Sequence, residues 1–321
     1  MKKLLFLFLS IQTITSIAQN EVIDTSGYQV LRYRISDQTF LIKLDAKNSE
    51  AYLRRSYYKS QIGNYKSSVE DLDIYLELIP TDYQALNSRG FSKERMGNYL
   101  GAIDDYNKAI EIKPDYLDAH YSRATNFYKL NRFKEALSDF NIAIELDSTY
   151  YKSYLFRGYT KEKLKDYNGA ILDYNVVIKN VPNDARAYNN RGMAKFFLND
   201  FISALADMNL AIGIDPNYAQ AYNKRGQTKY MLKDIDGAML DYNKSAELDP
   251  LNSSVFCNRG TVFAEKKEYQ EAIKDFTKSI ELDESNSESY SSRGIVYEAL
   301  GSFEKAKDDF KIAEAIRKTQ K

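Results

Sequence analysis

Histidine and cysteine are almost missing from this chain of 321 residues, which has one of each, His120 and Cys257. That excludes zinc sites built from such ligands, internal disulfides, and most His- or Cys-based catalysis. Tryptophan is absent, and net charge is absent too: 45 Lys and Arg balance 45 Asp and Glu. A general nucleic-acid binder needs a basic stripe to neutralise phosphate, so no nucleic-acid partner is expected. Beyond the first twenty residues no stretch is long and apolar enough to span a membrane. No glycine-rich phosphate loop appears, and no metal or cofactor is expected. What remains is 44% hydrophobic and 28% charged, a balance that suits a globular fold and is too apolar for a disordered chain.

The start of the chain reads as a secretory signal peptide over 1–18. Lys2 and Lys3 supply the positive end, Leu4 to Leu9 the apolar run, and Ser16 and Ala18 the small residues before a cut that leaves Gln19 first. An uncleaved anchor helix is the alternative, disfavoured because Gln12, Thr13, Thr15 and Ser16 break the apolar run. Export to the periplasm, the cell surface or the medium is the expectation. There Cys257 is either a small packing residue or a reactive thiol, and stability must come from packing.

Arginine recurs at 55, 89, 123, 157, 191, 225, 259 and 293, every 34 residues without an insertion. A small residue follows each one. Sixteen residues after each arginine stands an aspartate: 71, 105, 139, 173, 207, 241, 275 and 309. A large apolar residue comes next. All five prolines fall in one column, 25 residues after the arginine. Proline cannot continue a helix, so this column marks a helix end. Within 219–250, apolar residues recur at spacings of three and four, once up to Leu232 and again from Ile235, with a short turn at Lys233-Asp234 between. That is a pair of antiparallel helices.

The segments AYNKRGQTKYMLKDIDGAMLDYNKSAELDP at 221–250 and AYNNRGMAKFFLNDFISALADMNLAIGIDP at 187–216 resemble tetratricopeptide repeats. The chain is identified as a member of that family, with eight units at 49–82, 83–116, 117–150, 151–184, 185–218, 219–252, 253–286 and 287–320. The resemblance implies an all-α, right-handed superhelical solenoid of antiparallel helix pairs, with the first helices lining a concave groove. Residues 19–48 are expected to hold a loose tail and then a degenerate capping half-repeat, helical over 35–45. At the other end Phe310, Ala313 and Ile316 are expected to leave an apolar edge.

The charged columns read as structure. Pairs such as Arg89–Asp105, Arg157–Asp173, Arg191–Asp207 and Arg225–Asp241 link the two helices of one repeat through charge-assisted hydrogen bonds. In five repeats a lysine four residues after the arginine joins them. Paired carboxylates such as Asp104–Asp105 point apart on a helix, so no catalytic residue is assigned.

Residues two before, two after and five after the arginine form one stripe of the first helix. This stripe varies while the packing columns stay fixed. It holds Tyr57, Phe91, Tyr121, Tyr128, Tyr159, Asn189, Phe196, Asn223, Gln227 and Tyr230. Amides pair with peptide backbone and aromatic rings cover apolar side chains, so the stripe fits a protein or peptide ligand. Each aromatic also has the alternative of packing on a neighbouring helix. Some family members grip a C-terminal carboxylate with a Lys/Asn/Arg cluster. Asn190, Asn223 and Lys224 match part of it, but Gln220 stands where a basic residue is preferred, so that ligand is not carried over. The expected function is a non-enzymatic interaction scaffold in a bacterial envelope assembly. The alternatives are a self-assembling spacer joined through the C-terminal edge, and a glycan-binding or enzyme-associated module using the tyrosines of the groove.

Overall fold

The computed structural model describes residues 27–319. The expected leader and the start of the tail lie outside the described residues. Every described element is a helix. The first is α1 (Gly27–Leu44), followed by α2 (Ser49–Gln61), α3 (Tyr65–Leu78), α4 (Tyr83–Arg95), α5 (Tyr99–Ile112), α6 (Leu117–Lys129) and α7 (Phe133–Leu146). Then come α8 (Tyr151–Lys163), α9 (Tyr167–Asn180), α10 (Ala185–Phe197), α11 (Phe201–Ile214), α12 (Ala219–Met231) and α13 (Ile235–Leu248). The last are α14 (Ser253–Glu265), α15 (Tyr269–Leu282), α16 (Ser287–Ala299) and α17 (Phe303–Thr319). From α2 onward they pack as successive pairs. The chain divides between Asp147 and Ser148 into an N-terminal unit, α1 to α7, and a C-terminal unit, α8 to α17. No helix among the described residues is long and apolar enough to cross a membrane.

Local chemistry sets the helix ends. Asn or Asp precedes most helices, and its side-chain oxygen accepts a first-turn backbone N–H, as Asn98 does from Gly101 and Asp234 from Gly237. The turn inside each pair needs one left-handed residue. It falls in a single column, where Gly97 has φ 78° and Lys233 φ 66°. After α3, α5, α9, α11 and α13 the chain leaves the helix one residue before proline, which disfavours helical geometry there.

The small residue after each arginine lets the paired helices close. A Cβ on Gly226 would stand 2.7 Å from the ring of Tyr242, which is buried. Beside this contact the arginine makes a fork. Arg225 Nε and Nη2 donate to the two oxygens of Asp241 at 2.8 and 2.6 Å. Its Nη1 donates to Asn209 Oδ1 in the preceding pair at 2.8 Å. Arg89, Arg123, Arg191 and Arg259 repeat the arrangement on Asp73, Asn107, Asn175 and Asn243 at 2.7–2.9 Å. Lys59, Lys93, Lys161, Lys195 and Lys229 add a second cation on the same aspartates at 2.7–2.8 Å. Where the lysine is replaced by Phe127, Phe263 or Tyr297, the arginine lies over that ring at 5.9–6.0 Å.

Two ends differ from the sequence reading. Residues 27–34, expected in the tail, form the first turns of α1. This helix takes the place of a preceding second helix: Thr39 Oγ1 accepts from Arg55 Nη1 at 3.1 Å, and Arg34 lies over the Tyr58 ring at 5.4 Å. None of its residues is fully buried, so its apolar pattern is weak and its extent was hidden. At the other end Ala313 is buried and the Phe310 ring packs where a Gly294 Cβ would meet it at 2.7 Å. The large apolar side chains exposed there are Phe303 and Ile312.

Asp207 is 2% exposed and holds both Arg191 and Lys195. Asp207→Ala strands two partly buried cations and should lower unfolding free energy by about 3–5 kcal/mol. Asp104→Ala, on the exposed face, should change it by less than about 0.5 kcal/mol. Urea denaturation of both variants checks this; equal effects would contradict the structural role of the column.

Candidate ligand groove

In each unit the first helices of successive pairs lie side by side, and the stripe falls on their shared face. In the N-terminal unit, Leu53 and Tyr57 of α2, Asn87 and Phe91 of α4 and Ser122 of α6 surround a cavity of about 450 Å³. Tyr57 and Phe91 are 58% and 45% exposed, so these rings are not part of the core. Asn87 Oδ1 is buried and has no hydrogen-bond partner. Tyr121 and Tyr128 do not join this cavity. They are half-buried against the second helix of their own pair, at 6.0 Å from Phe140 and 5.6 Å from Phe133 between ring centroids.

In the C-terminal unit, Phe196 of α10, Gln227 and Tyr230 of α12, and Asn258 and Thr261 of α14 line a second cavity of about 180 Å³. Phe196 is braced edge-on by Phe201 at 5.3 Å. Asn189 and Asn223 are buried rather than exposed. The position two before the arginine points between neighbouring first helices, where Asn223 Oδ1 accepts from Asn258 Nδ2 at 2.9 Å. Asn189 Nδ2 donates to Asn190 Oδ1 at 3.1 Å, while its own Oδ1 has no partner. Tyr159 is half-buried, 6.0 Å from Tyr174. Burial pushes its hydroxyl well above the usual phenol range.

Two charged groups of this unit, Glu162 on α8 and Lys224 on α12, are half-buried. Glu162 lies one turn beyond Tyr159 and accepts from Tyr174 Oη at 2.8 Å. Burial pushes its carboxyl from 4.5 up to about 7, against the opposing pull of the Tyr174 hydroxyl, Lys163 and Lys224. Lys224 is pushed below its usual 10.5 by burial, and its Nζ reaches Gln227 Oε1 at 3.4 Å. Glu162 stands five residues after Arg157, a stripe position to which sequence reading gave no role. Sequence reading also passed over Asn258, although Asn258 shares the column of Asn190 and Lys224, one before the arginine. Cys257 is buried, and burial pushes its thiol up to about 11, so it behaves as a packing residue.

Tetratricopeptide repeat models match residues 121–185, 185–218, 219–250 and 253–286, and a TPR repeat model matches 95–131. No curated protein matches the chain. Among solved structures it is similar to a tetratricopeptide repeat protein from Parabacteroides merdae ATCC 43184, with TM-score 0.66 and 19% identity over 83% of this chain and 98% of that one. It is also similar to a chain of the APC/C hetero-tetramer Cut9-Hcn1, with TM-score 0.64 and 17% identity over 82% of this chain and 52% of that one. A third likeness is to YrrB, a TPR protein with an unusual peptide-binding site, at TM-score 0.51 and 22% identity over 57% of this chain and 95% of that one. At such identities the likeness is one of fold.

The raised carboxyl gives a pH prediction. A folded value of about 7 against an ordinary 4.5 means that the native state binds the extra proton between those limits. Glu162 therefore favours folding at low pH, and this contribution is lost as pH rises through about 7. Glu162→Gln keeps the acceptor for Tyr174 and removes the charge. It should stabilise the protein at pH 8 by on the order of 2 kcal/mol, fading to nothing below about pH 4.5. Denaturation midpoints across that range check it; a difference independent of pH would contradict the burial of a titrating carboxyl.

Proposed function

The chain belongs to the tetratricopeptide repeat family, and on that premise we propose that it is a non-enzymatic scaffold whose grooves bind a protein or peptide segment. Proteins of this family bind protein or peptide partners. The observation that carries the reading is the coincidence of variable stripe and cavity. Tyr57, Asn87 and Phe91 line one cavity and Phe196, Gln227 and Tyr230 the other, while the packing columns repeat unchanged beneath them. Exposed or half-buried aromatics beside half-buried amides suit an extended chain, whose side chains need apolar cover and whose backbone needs acceptors and donors. The leader-like first eighteen residues support a place in a bacterial envelope assembly. Self-assembly through the C-terminal end has less support, because Ala313 is buried and Phe310 is half-covered within its own pair.

Photo-crosslinking in the cell tests this. A photoreactive residue at Phe91 or at Tyr159 should give a discrete protein adduct, and one at exposed Lys179 should not. Equal labelling from all three positions, or none from the two groove positions, would contradict the proposal.

A further inference from the structure

The two cavities differ in the charge on their walls. In the N-terminal unit the charged lining residue is Arg54, and Glu50 already answers it at 2.6 Å. In the C-terminal unit the charged lining residue is Glu288, in the first turn of α16. Glu288 is exposed, and it makes no hydrogen bond or ion pair among the described residues.

The polar groups that share this cavity with Glu288 are held by bonds that leave oxygens free. Asn258 Nδ2 donates to Asn223 Oδ1 at 2.9 Å, so Asn258 keeps its own Oδ1 as an acceptor. Thr261, one turn further on the same helix, donates its hydroxyl to the Cys257 carbonyl at 3.0 Å. The lone pairs of its Oγ1 remain. The apolar wall is Phe196, braced by Phe201 at 5.3 Å, together with Tyr230. Two cations stand nearby, and both are engaged. Lys224 donates to Gln227 Oε1 at 3.4 Å, and Lys233 lies over the Tyr230 ring at 5.8 Å. Neither lines the cavity. One small cavity of about 180 Å³ thus combines an unanswered carboxylate, two neutral acceptors and aromatic cover.

We infer that this cavity takes a cationic side chain of the bound segment, lysine or arginine, with its stem along Phe196 and Tyr230 and its head donating to Glu288, Asn258 Oδ1 and Thr261 Oγ1. Such side chains lay an apolar stem on apolar surface and keep a polar tip, and an ammonium brings three donors. A carboxylate in the same place would meet Glu288 as a like charge. An apolar side chain would cover three acceptors and supply no donor to any of them. The inference rests on the reading of the groove as a peptide site and deepens it, by naming the kind of residue that the C-terminal unit selects.

Random peptides displayed on phage, selected on the full chain, provide the test. Counter-selection against Thr261→Tyr, which fills the cavity, keeps only peptides that use it. The survivors should share one lysine or arginine, and the enriched residue names the head group. Fluorescence polarisation then measures capped synthetic copies. Replacing the shared basic residue by methionine should weaken binding at least about tenfold, the lower range for hydrogen bonds to a charged group. Glu288→Gln should weaken it about fivefold, the upper range for an exposed pair. That variant breaks no hydrogen bond of the free protein, so its fold is not at stake. The two changes together should cost little more than the larger one, because both remove the same contact. Survivors without a shared basic residue, or binding that Glu288→Gln leaves unchanged, overturn the inference and leave the peptide reading standing. So does a selection in which every enriched peptide binds Thr261→Tyr equally well. If no peptide is enriched on the full chain at all, the peptide reading itself fails, and this inference with it.

Discussion

The arginine fork is the contact on which the rest depends. A guanidinium is planar and offers donors in fixed directions, so one side chain can hold three positions at once. Arg225 spends two donors on Asp241 in its own pair and one on Asn209 in the pair before. The aspartate is buried, so the bonds work at reduced dielectric, and the fork sets both the closure of one pair and its seat on the last. Closure is complete only because Gly226 admits the Tyr242 ring. A lysine at the arginine position would keep the charge and lose this geometry.

A frame fixed in this way separates stability from recognition. The buried columns take little change: each fork variant strands charge at a cost of about 3–5 kcal/mol. The stripe on the first helices carries none of that duty. Phe91 and Tyr57 are exposed, and Tyr121 and Tyr128, in the other two columns of the stripe, are turned to their own pair. Recognition can therefore differ from repeat to repeat while the backbone spacing of the stripe stays constant. Glu94 and Glu162 show the consequence. In the same place of the repeat, Glu94 takes donors from Asn126 and Lys129 one repeat later, and Glu162 takes one from Tyr174 of its own pair.

Much of this was legible in the sequence, because repetition isolates columns. The arginine, aspartate and proline columns marked the helix pairs, and the left-handed turn column lies between them. The third arm of the fork was also written there, as Asp73, Asn107, Asn175, Asn209 and Asn243 two residues after each ladder aspartate, but nothing in one repeat alone shows that it serves the next. The extent of α1 was hidden because that helix buries no residue fully. The burial of Asn189 and Asn223 was hidden for another reason. A stripe assigned by helical spacing does not distinguish residues facing open space from residues wedged between adjacent helices.

The most direct measurement of the account is native-state hydrogen exchange on Arg225→Lys, which keeps the charge and removes the fork. If the arginine ties one pair to the last, amides should exchange faster, by about tenfold or more, in α11, α12 and α13 together. Faster exchange confined to α12, or none at all, would contradict it.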